Sequence, residues 1–178
     1  MRNLSPNWHV LLIKTDDSGN ILWTNHYEGN TTALQGFSVQ QTSDIGYVVA
    51  GFITDSLNIS NDDFYLVKTD SLGNLKWSKA YGGNQMDRAL SVGCTFDNGF
   101  IITGIADWDG YDAGDIYLVK TDSVGDTLWT KKYGGIGYDE GLSVIQIPDS
   151  GYIISGRTKS YGAGSFDVYV IKPNSYGI

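Results

Sequence analysis

"DIYLVKTDSVGDTLWTKKYGG", residues 115–135, reads by itself as a strand, a tight turn and a second strand. The chain says nearly the same thing at residues 63–83, "DFYLVKTDSLGNLKWSKAYGG", and at residues 9–29, "HVLLIKTDDSGNILWTNHYEG". A fourth copy, "DVYVIKPNSYGI", starts at Asp167 and covers only the first strand and the turn. The lysine of this element falls at Lys14, Lys68, Lys120 and Lys172, so successive copies lie 54, 52 and 52 residues apart. Trp23, Trp77 and Trp129 each follow their lysine by nine residues, and Tyr27, Tyr81 and Tyr133 follow each Trp by four. Downstream, "GYVVAG", "GFIITG" and "GYIISG" begin at Gly46, Gly99 and Gly151. So regular a period makes the chain a repeat protein.

Each unit holds four strand-like runs. In the second full unit they are "LSVGCTF", "FIITGI", "DIYLVKTD" and "TLWTKKY". Asp-Asn-Gly (97–99), Asp-Ser-Gly (149–151), Ser18-Gly19 and the Ser-x-Gly turns at Ser71 and Ser123 offer the positive φ that tight hairpins demand. No stretch sustains a 3.6-residue apolar period, so little or no helix is expected. Runs such as "YVVAGFI" and "GFIITGI" are apolar almost throughout, as strands covered on both faces should be. Four antiparallel strands in a unit of this length are the signature of a propeller blade.

Bulk properties agree with an all-β domain. The 178 residues are 41% hydrophobic, with 12 Tyr, 5 Trp and 23 Gly but only 3 Pro. Mean hydropathy is -0.19, a globular composition. The net charge of -8, with no basic cluster, repels phosphate backbones and argues against nucleic-acid binding. Cys94 is the single cysteine, so no internal disulfide framework exists. No run approaches the roughly 20 apolar residues of a membrane helix, and "MRNLSPNWHV" has no apolar core of a secretory signal.

The pattern G-G-x-x-x-D-x-x-x-S-V, then D-x-G-[YF]-x-x-x-G, then D-x-Y-x-[VI]-K-T-D-S-x-G-x-x-x-W resembles the bacterial and archaeal β-propeller repeat (SBBP-type) proteins, over Trp8 to about Lys172. The resemblance implies a phase in which "LSVGCTF" is the innermost strand, A. It also implies an exported or cell-surface scaffold or binding module, without an enzymatic role. In that phase residues 8–35 form a partial blade (strands C and D), 36–88 and 89–141 two complete blades, and 142–178 a partial blade with strands A, B and C. The expected fold is therefore an all-β β-propeller segment of about 3.3 repeats of ~52 residues, built from four-stranded antiparallel blades. A closed propeller needs at least about four blades. The segment is either part of a longer ring, awaiting the blades of a parent chain, or closed by oligomerisation, two copies making six blades. In the second case one strand C per junction is surplus, and residues 9–15 or 166–172 must stand aside.

Motifs for chemistry are sparse. His9 and His26 have no second histidine or cysteine at ligand spacing, and no H-E-x-x-H, P-loop or G-x-S-x-G appears; solvated or edge positions are expected for both. Asp63, Asp115 and Asp167 before strand C, and Asp87 and Asp139 before strand A, recur in successive units and are expected to accept hydrogen bonds from loop N–H groups. The repeated tryptophans are expected to pack between blades. The repeated lysines should cover apolar surface with their stems and keep their charge in water.

Function is to be sought where repeats disagree, which is chiefly in the loop between strands B and C: "TDSLNISNDD" (54–63), "DWDGYDAGD" (107–115) and "TKSYGAGSFD" (158–167). Asp107, Asp109, Asp112 and Asp115 with Gly110 resemble the opening of a calcium loop, without its distal bidentate glutamate. They are the candidate calcium ligands, against the alternative of a solvated acidic loop. Trp108, Tyr111 and Tyr161 are candidate contacts for a sugar ring or a protein partner. Sequons stand at Asn3, Asn30 and Asn58. A rival reading comes from "KTDSLGNLKW" (68–77), which is similar to the T-G-x-x-x-W blade motif of quinoprotein dehydrogenases. That likeness concerns the fold, and one cysteine cannot form the adjacent-cysteine disulfide that packs against a quinone.

Overall fold

The computed structural model describes residues 9–28, 31–55 and 61–178. Trp8, the three sequons and residues 56–60 of the first loop between strands B and C lie outside them. The described residues form thirteen strands and no helix, and none contains a helix long and apolar enough to cross a membrane. The first sheet pairs β1 (Val10–Thr15) with β2 (Ile21–Tyr27). The second runs β3 (Thr31–Gln41), β4 (Tyr47–Asp55), β5 (Asp62–Thr69), β6 (Leu75–Tyr81) in spatial order. The third repeats this with β7 (Met86–Cys94), β8 (Phe100–Trp108), β9 (Asp115–Thr121) and β10 (Thr127–Tyr133). The fourth has β11 (Asp139–Gln146), β12 (Tyr152–Thr158) and β13 (Asp167–Ile171). Every pairing within these sheets is antiparallel between chain neighbours.

The first strand of each later unit starts three to five residues before the boundary expected from the sequence, at Thr31, Met86 and Asp139. The cause is a bulge, with register shifts at Gly36/Ser38, Ala89/Ser91 and Gly141/Ser143. Pairing continues beyond each bulge through polar residues such as Gln35, Arg88 and Glu140, where the apolar run has ended.

The sheets stack face to face. β7 packs on β3, β4 and β5, and β11 on β7, β8 and β9, while β3 meets β1 on its other side. One core joins Val48, Phe64 and Leu66 of the second sheet to Val92, Ile102 and Val119 of the third. A second joins Ile116 and Leu118 to Val144, Tyr152 and Ile154. Burial on both sides explains why β8 is buried from Phe100 through Ala106 with no alternation.

Three devices recur along the stack, the first two at all three stacking steps and the third at the last two. Trp23, Trp77 and Trp129 lie edge-on against Tyr47, Phe100 and Tyr152 of the following sheet, centroids 5.8 Å apart. These are the packing tryptophans expected between units. Four residues on, Tyr27, Tyr81 and Tyr133 donate their hydroxyls to the carbonyls of Gly73, Gly125 and Gly177 in the next unit's turn, at 2.7, 2.8 and 3.0 Å. The amides of Val92 and Val144 donate to the hydroxyls of Ser38 and Ser91 in the preceding unit, at 3.2 and 3.3 Å.

Two of the four repeated lysines depart from expectation, while Lys172 stays exposed as expected. Lys68 and Lys120 are buried, and their ammonium groups are spent on protein oxygens. Lys68 Nζ donates to both Asp44 oxygens, at 2.9 and 3.0 Å, and to the Thr69 carbonyl at 2.8 Å. Lys120 treats Asp97 and Thr121 in the same way. A buried ammonium is tolerated because every donor finds an oxygen. The D-x-G turn thus holds a buried cation as well as reversing the chain. Its positive φ falls on Ile45, Asn98 and Ser150 rather than on the glycine. The glycine is needed because a Cβ on Gly46 or Gly99 would strike the carbonyl of Thr69 or Thr121.

Candidate functional site

The loops after β8 and β12 and those leading into β7 and β11 meet on one face of the stack. Gly114 bridges to Tyr138, the Asp139 amide donates to the Gly114 carbonyl at 2.8 Å, and the Lys159 amide donates to the Tyr138 carbonyl at 2.8 Å. Asp87 and Asp139 do what the sequence implied. Asp87 accepts the amides of Gly83 and Asp107 at 2.8 and 2.9 Å, and Asp139 accepts the Gly135 amide at 2.9 Å. Asp115 instead faces Asp139; burial, then that second negative charge, raises its pKa. His9 and His26 are exposed.

The four candidate calcium ligands diverge. Asp107 pairs with Lys132, and Asp112 with Lys159. Asp109 caps its own loop, accepting the Tyr111 and Ala113 amides at 2.8 and 3.2 Å. Among the described residues no three His, Cys, Asp or Glu side chains are grouped to hold a metal ion, so this arrangement does not fit a calcium shell.

The three candidate aromatics also part company. Tyr111 projects into solvent. Tyr161 leans on Tyr169, centroids 5.5 Å apart, and donates its hydroxyl to the Gly134 carbonyl at 2.6 Å. Trp108 lies in a row that the sequence did not reveal. The Arg88 guanidinium sits 4.5 Å from the Phe52 ring centre and 4.8 Å from that of Trp108, and its Nε donates to Asp62 at 2.6 Å. Trp108 meets Tyr138 edge-on at 6.5 Å, and Tyr138 meets Phe166 at 5.8 Å. Arg157 lies 5.5 Å from Tyr138 and 4.5 Å from Phe166, its Nε donating to Glu140 at 2.8 Å.

Two guanidinium groups, each between two aromatic rings and tied to one carboxylate, therefore span three sheets. Such a surface favours planar, polar-edged or anionic groups. Burial, and after it the charge of Glu140, push the Tyr138 hydroxyl up to about 12, so it stays a neutral donor at neutral pH. The Trp108 indole N–H is buried without an acceptor among the described residues. The one available signal was disagreement between repeats: Arg88 stands where the neighbouring units have Gln35 and Glu140, and Arg157 where they have Phe52 and Ile105.

A second feature is an open groove of about 370 Å³ between β1 and β3, lined by Leu12, Leu34, Phe37, Val39 and Val49 among others. It lies where a preceding unit's first two strands would stack. Val39 is 50% exposed there, whereas its counterparts Val92 and Val144, each covered by the sheet before it, are 2% and 3% exposed.

The carboxylates give a pH profile. Hydrogen bonds from Lys76, Thr42 and Lys68 hold Asp44 well below the unfolded value of 3.8. Burial pushes Asp97 up, but hydrogen bonds from Lys120, Thr95 and Gly99 outweigh it and leave Asp97 at about 2. Both contribute stability above the unfolded value and lose it as the pH falls through their lowered ones. Asp87, raised by burial, and Asp115 act with the opposite sign, since their charged forms oppose folding until they protonate. Denaturant midpoints measured from pH 7 to pH 2 should therefore rise modestly at first, then fall below about pH 4. A steady decline from pH 7 would contradict this assignment.

No family model matches the chain, and no curated protein matches it. Among solved structures, it is similar to a protein of unknown function from Bacteroides caccae, at 9% identity and a TM-score of 0.34, over 92% of this chain and 70% of that one. A likeness at that level bears on neither family nor function.

Proposed function

We propose that this chain supplies half of a six-bladed β-propeller completed by a second copy, and that the ring is a non-enzymatic binding scaffold. One observation carries the reading. The open face on β3, marked by Val39, is the counterpart of the faces of β7 and β11 that the preceding sheet covers within the chain. The outward side of the fourth sheet carries the other half of the same interface. Val168 and Val170 there are 84% and 60% exposed, while their counterparts Ile116 and Leu118 in β9 are fully buried. Each end therefore fits the other end of a second copy, and a rotation that closes after two copies gives a ring instead of a filament. The ring would present Arg88, Trp108, Tyr138 and Arg157 on its loop face, suited to a protein or carbohydrate ligand with flat or acidic groups.

Light scattering during size exclusion tests the assembly. The chain has a mass of 19.5 kDa, and a single species of twice that mass is expected at micromolar concentration. A stable monomer would reject self-closure and assign both open faces to further blades of a longer polypeptide.

A further inference from the structure

We infer that the two copies join by exchanging a strand: β2 of one copy leaves its own β1 and pairs with β13 of the other, and β1 is the strand displaced. This rests on the ring proposed above and specifies its junctions.

Strand inventory comes first. The last-strand role in a unit is filled by β2, β6 and β10, and the three preceding roles by β3, β7, β11, then β4, β8, β12, then β5, β9, β13. Residues 21–178 therefore hold three of each kind, and β1 is a fourth copy of the third kind. At a junction β1 and β13 compete for one place beside β2.

The structure fastens the two competitors unequally. β13 pairs with β12 along its whole length. Tyr169 and Ile171 pack on the third and fourth sheets' core, Lys172 binds Asp149 at 2.7 Å, and the Tyr152 amide donates to the Pro173 carbonyl at 3.0 Å. The turn that follows is held by Tyr133 through the Gly177 carbonyl, as in the complete units. β1 pairs with β2 alone. No unit precedes it among the described residues, and a Cβ placed on Gly19 in its turn meets nothing, whereas on Gly73 it would strike Trp23 and on Gly125 Trp77. Among the described residues no aspartate pairs with Lys14 as Asp44 does with Lys68, and Lys14 donates to the Tyr47 hydroxyl at 2.8 Å.

The replacement fits in register. β2 faces β1 through Tyr27↔Val10, Asn25↔Leu12 and Trp23↔Lys14, the pattern of Tyr81↔Phe64, Lys79↔Leu66 and Trp77↔Lys68 in the second sheet. Val168 and Val170 of β13 and Lys172 just after it occupy the equivalent positions, and the outer edge of β13 is unpaired. In the exchanged ring Val168 and Val170 take the places of Val10 and Leu12 against Leu34, Val49 and Val67. β11 and β12 fill the groove over Val39, and the Ser143 hydroxyl reaches the Val39 amide as Ser38 and Ser91 do within the chain.

Engineered disulfides in the full chain, with Cys94→Ser as background, test the exchange. Asn25→Cys with Val170→Cys spans the proposed junction, and Leu12→Cys with Asn25→Cys spans the hairpin. The expected result is that the first pair, mildly oxidised, doubles the mass on a denaturing gel without reductant, with a peptide map joining the two introduced thiols, while the second pair stays reduced. His26→Cys with Tyr169→Cys reports the same junction from the opposite face, should either first-pair variant fail to fold. A dimer by light scattering in which only the Leu12/Asn25 pair closes, within one chain, would overturn the exchange and leave the ring intact. A monomer by light scattering would overturn both.

Discussion

Phe64→Ala is expected to lower the stability of the chain by about 3–5 kcal/mol. Phe64 lies on β5 with no exposed surface and meets Tyr117 of the third sheet edge-on, centroids 5.2 Å apart. Its neighbours Val48 and Leu66 come from its own sheet, Ala89 and Ile102 from the next. Truncation opens a cavity that neither sheet can close, since each is pinned by its own hydrogen-bond ladder and by a tryptophan reaching across. Urea titration of the variant against the parent measures the loss. A change below about 1 kcal/mol would mean that this face does not carry the stacking.

Gly104→Ala should be comparably damaging although it adds one methyl group. Gly104 sits in β8 opposite Ala89, beside the bulge in β7. A Cβ there would lie far inside contact distance of the Arg88 carbonyl oxygen, and the next obstacles are also backbone. No rotamer change relieves that clash; β7 and β8 must separate locally. The expected cost is at least about 3 kcal/mol, the upper end for an overpacked site. Gly51 and Gly156 face the carbonyls of Gln35 and Glu140 in the same way. A melting temperature within a degree or two of the parent would show that the bulge absorbs a side chain, and would remove the explanation for this repeated glycine.

What could be read from the sequence was whatever the stacking step uses three times. Trp23, Trp77 and Trp129, the tyrosines after them and the paired apolar runs recur because each serves the same contact, so strand order and unit length were legible. The role of Lys68 and Lys120 was not, because the aspartate that neutralises each lies 24 or 23 residues upstream in a turn whose own geometry already explained it. The strand starts were hidden by bulges, beyond which the apolar pattern stops while the hydrogen bonding goes on. The loop-face row was hidden for a different reason. Arg88 and Arg157 occur once each at their repeat positions, and only the stacking of the sheets sets Trp108 and Tyr138 between them. The D-W-D-G-Y-D string drew attention as a possible ion shell, yet Lys132 of β10 and Lys159 just after β12 reach two of its carboxylates.

The tyrosine hydroxyls that clasp the next unit's turn all point the same way along the chain, from Tyr27 to Gly73, Tyr81 to Gly125 and Tyr133 to Gly177, 44 to 46 residues ahead. A ribosome delivers residues in that same direction. Each sheet's outermost strand must therefore wait, fully synthesised but unclasped, until nearly one more unit has emerged from the exit tunnel. Folding during translation should advance in steps of about one repeat, always one clasp behind synthesis, and a pause placed just after Tyr81 would hold the second sheet fully synthesised but unclasped.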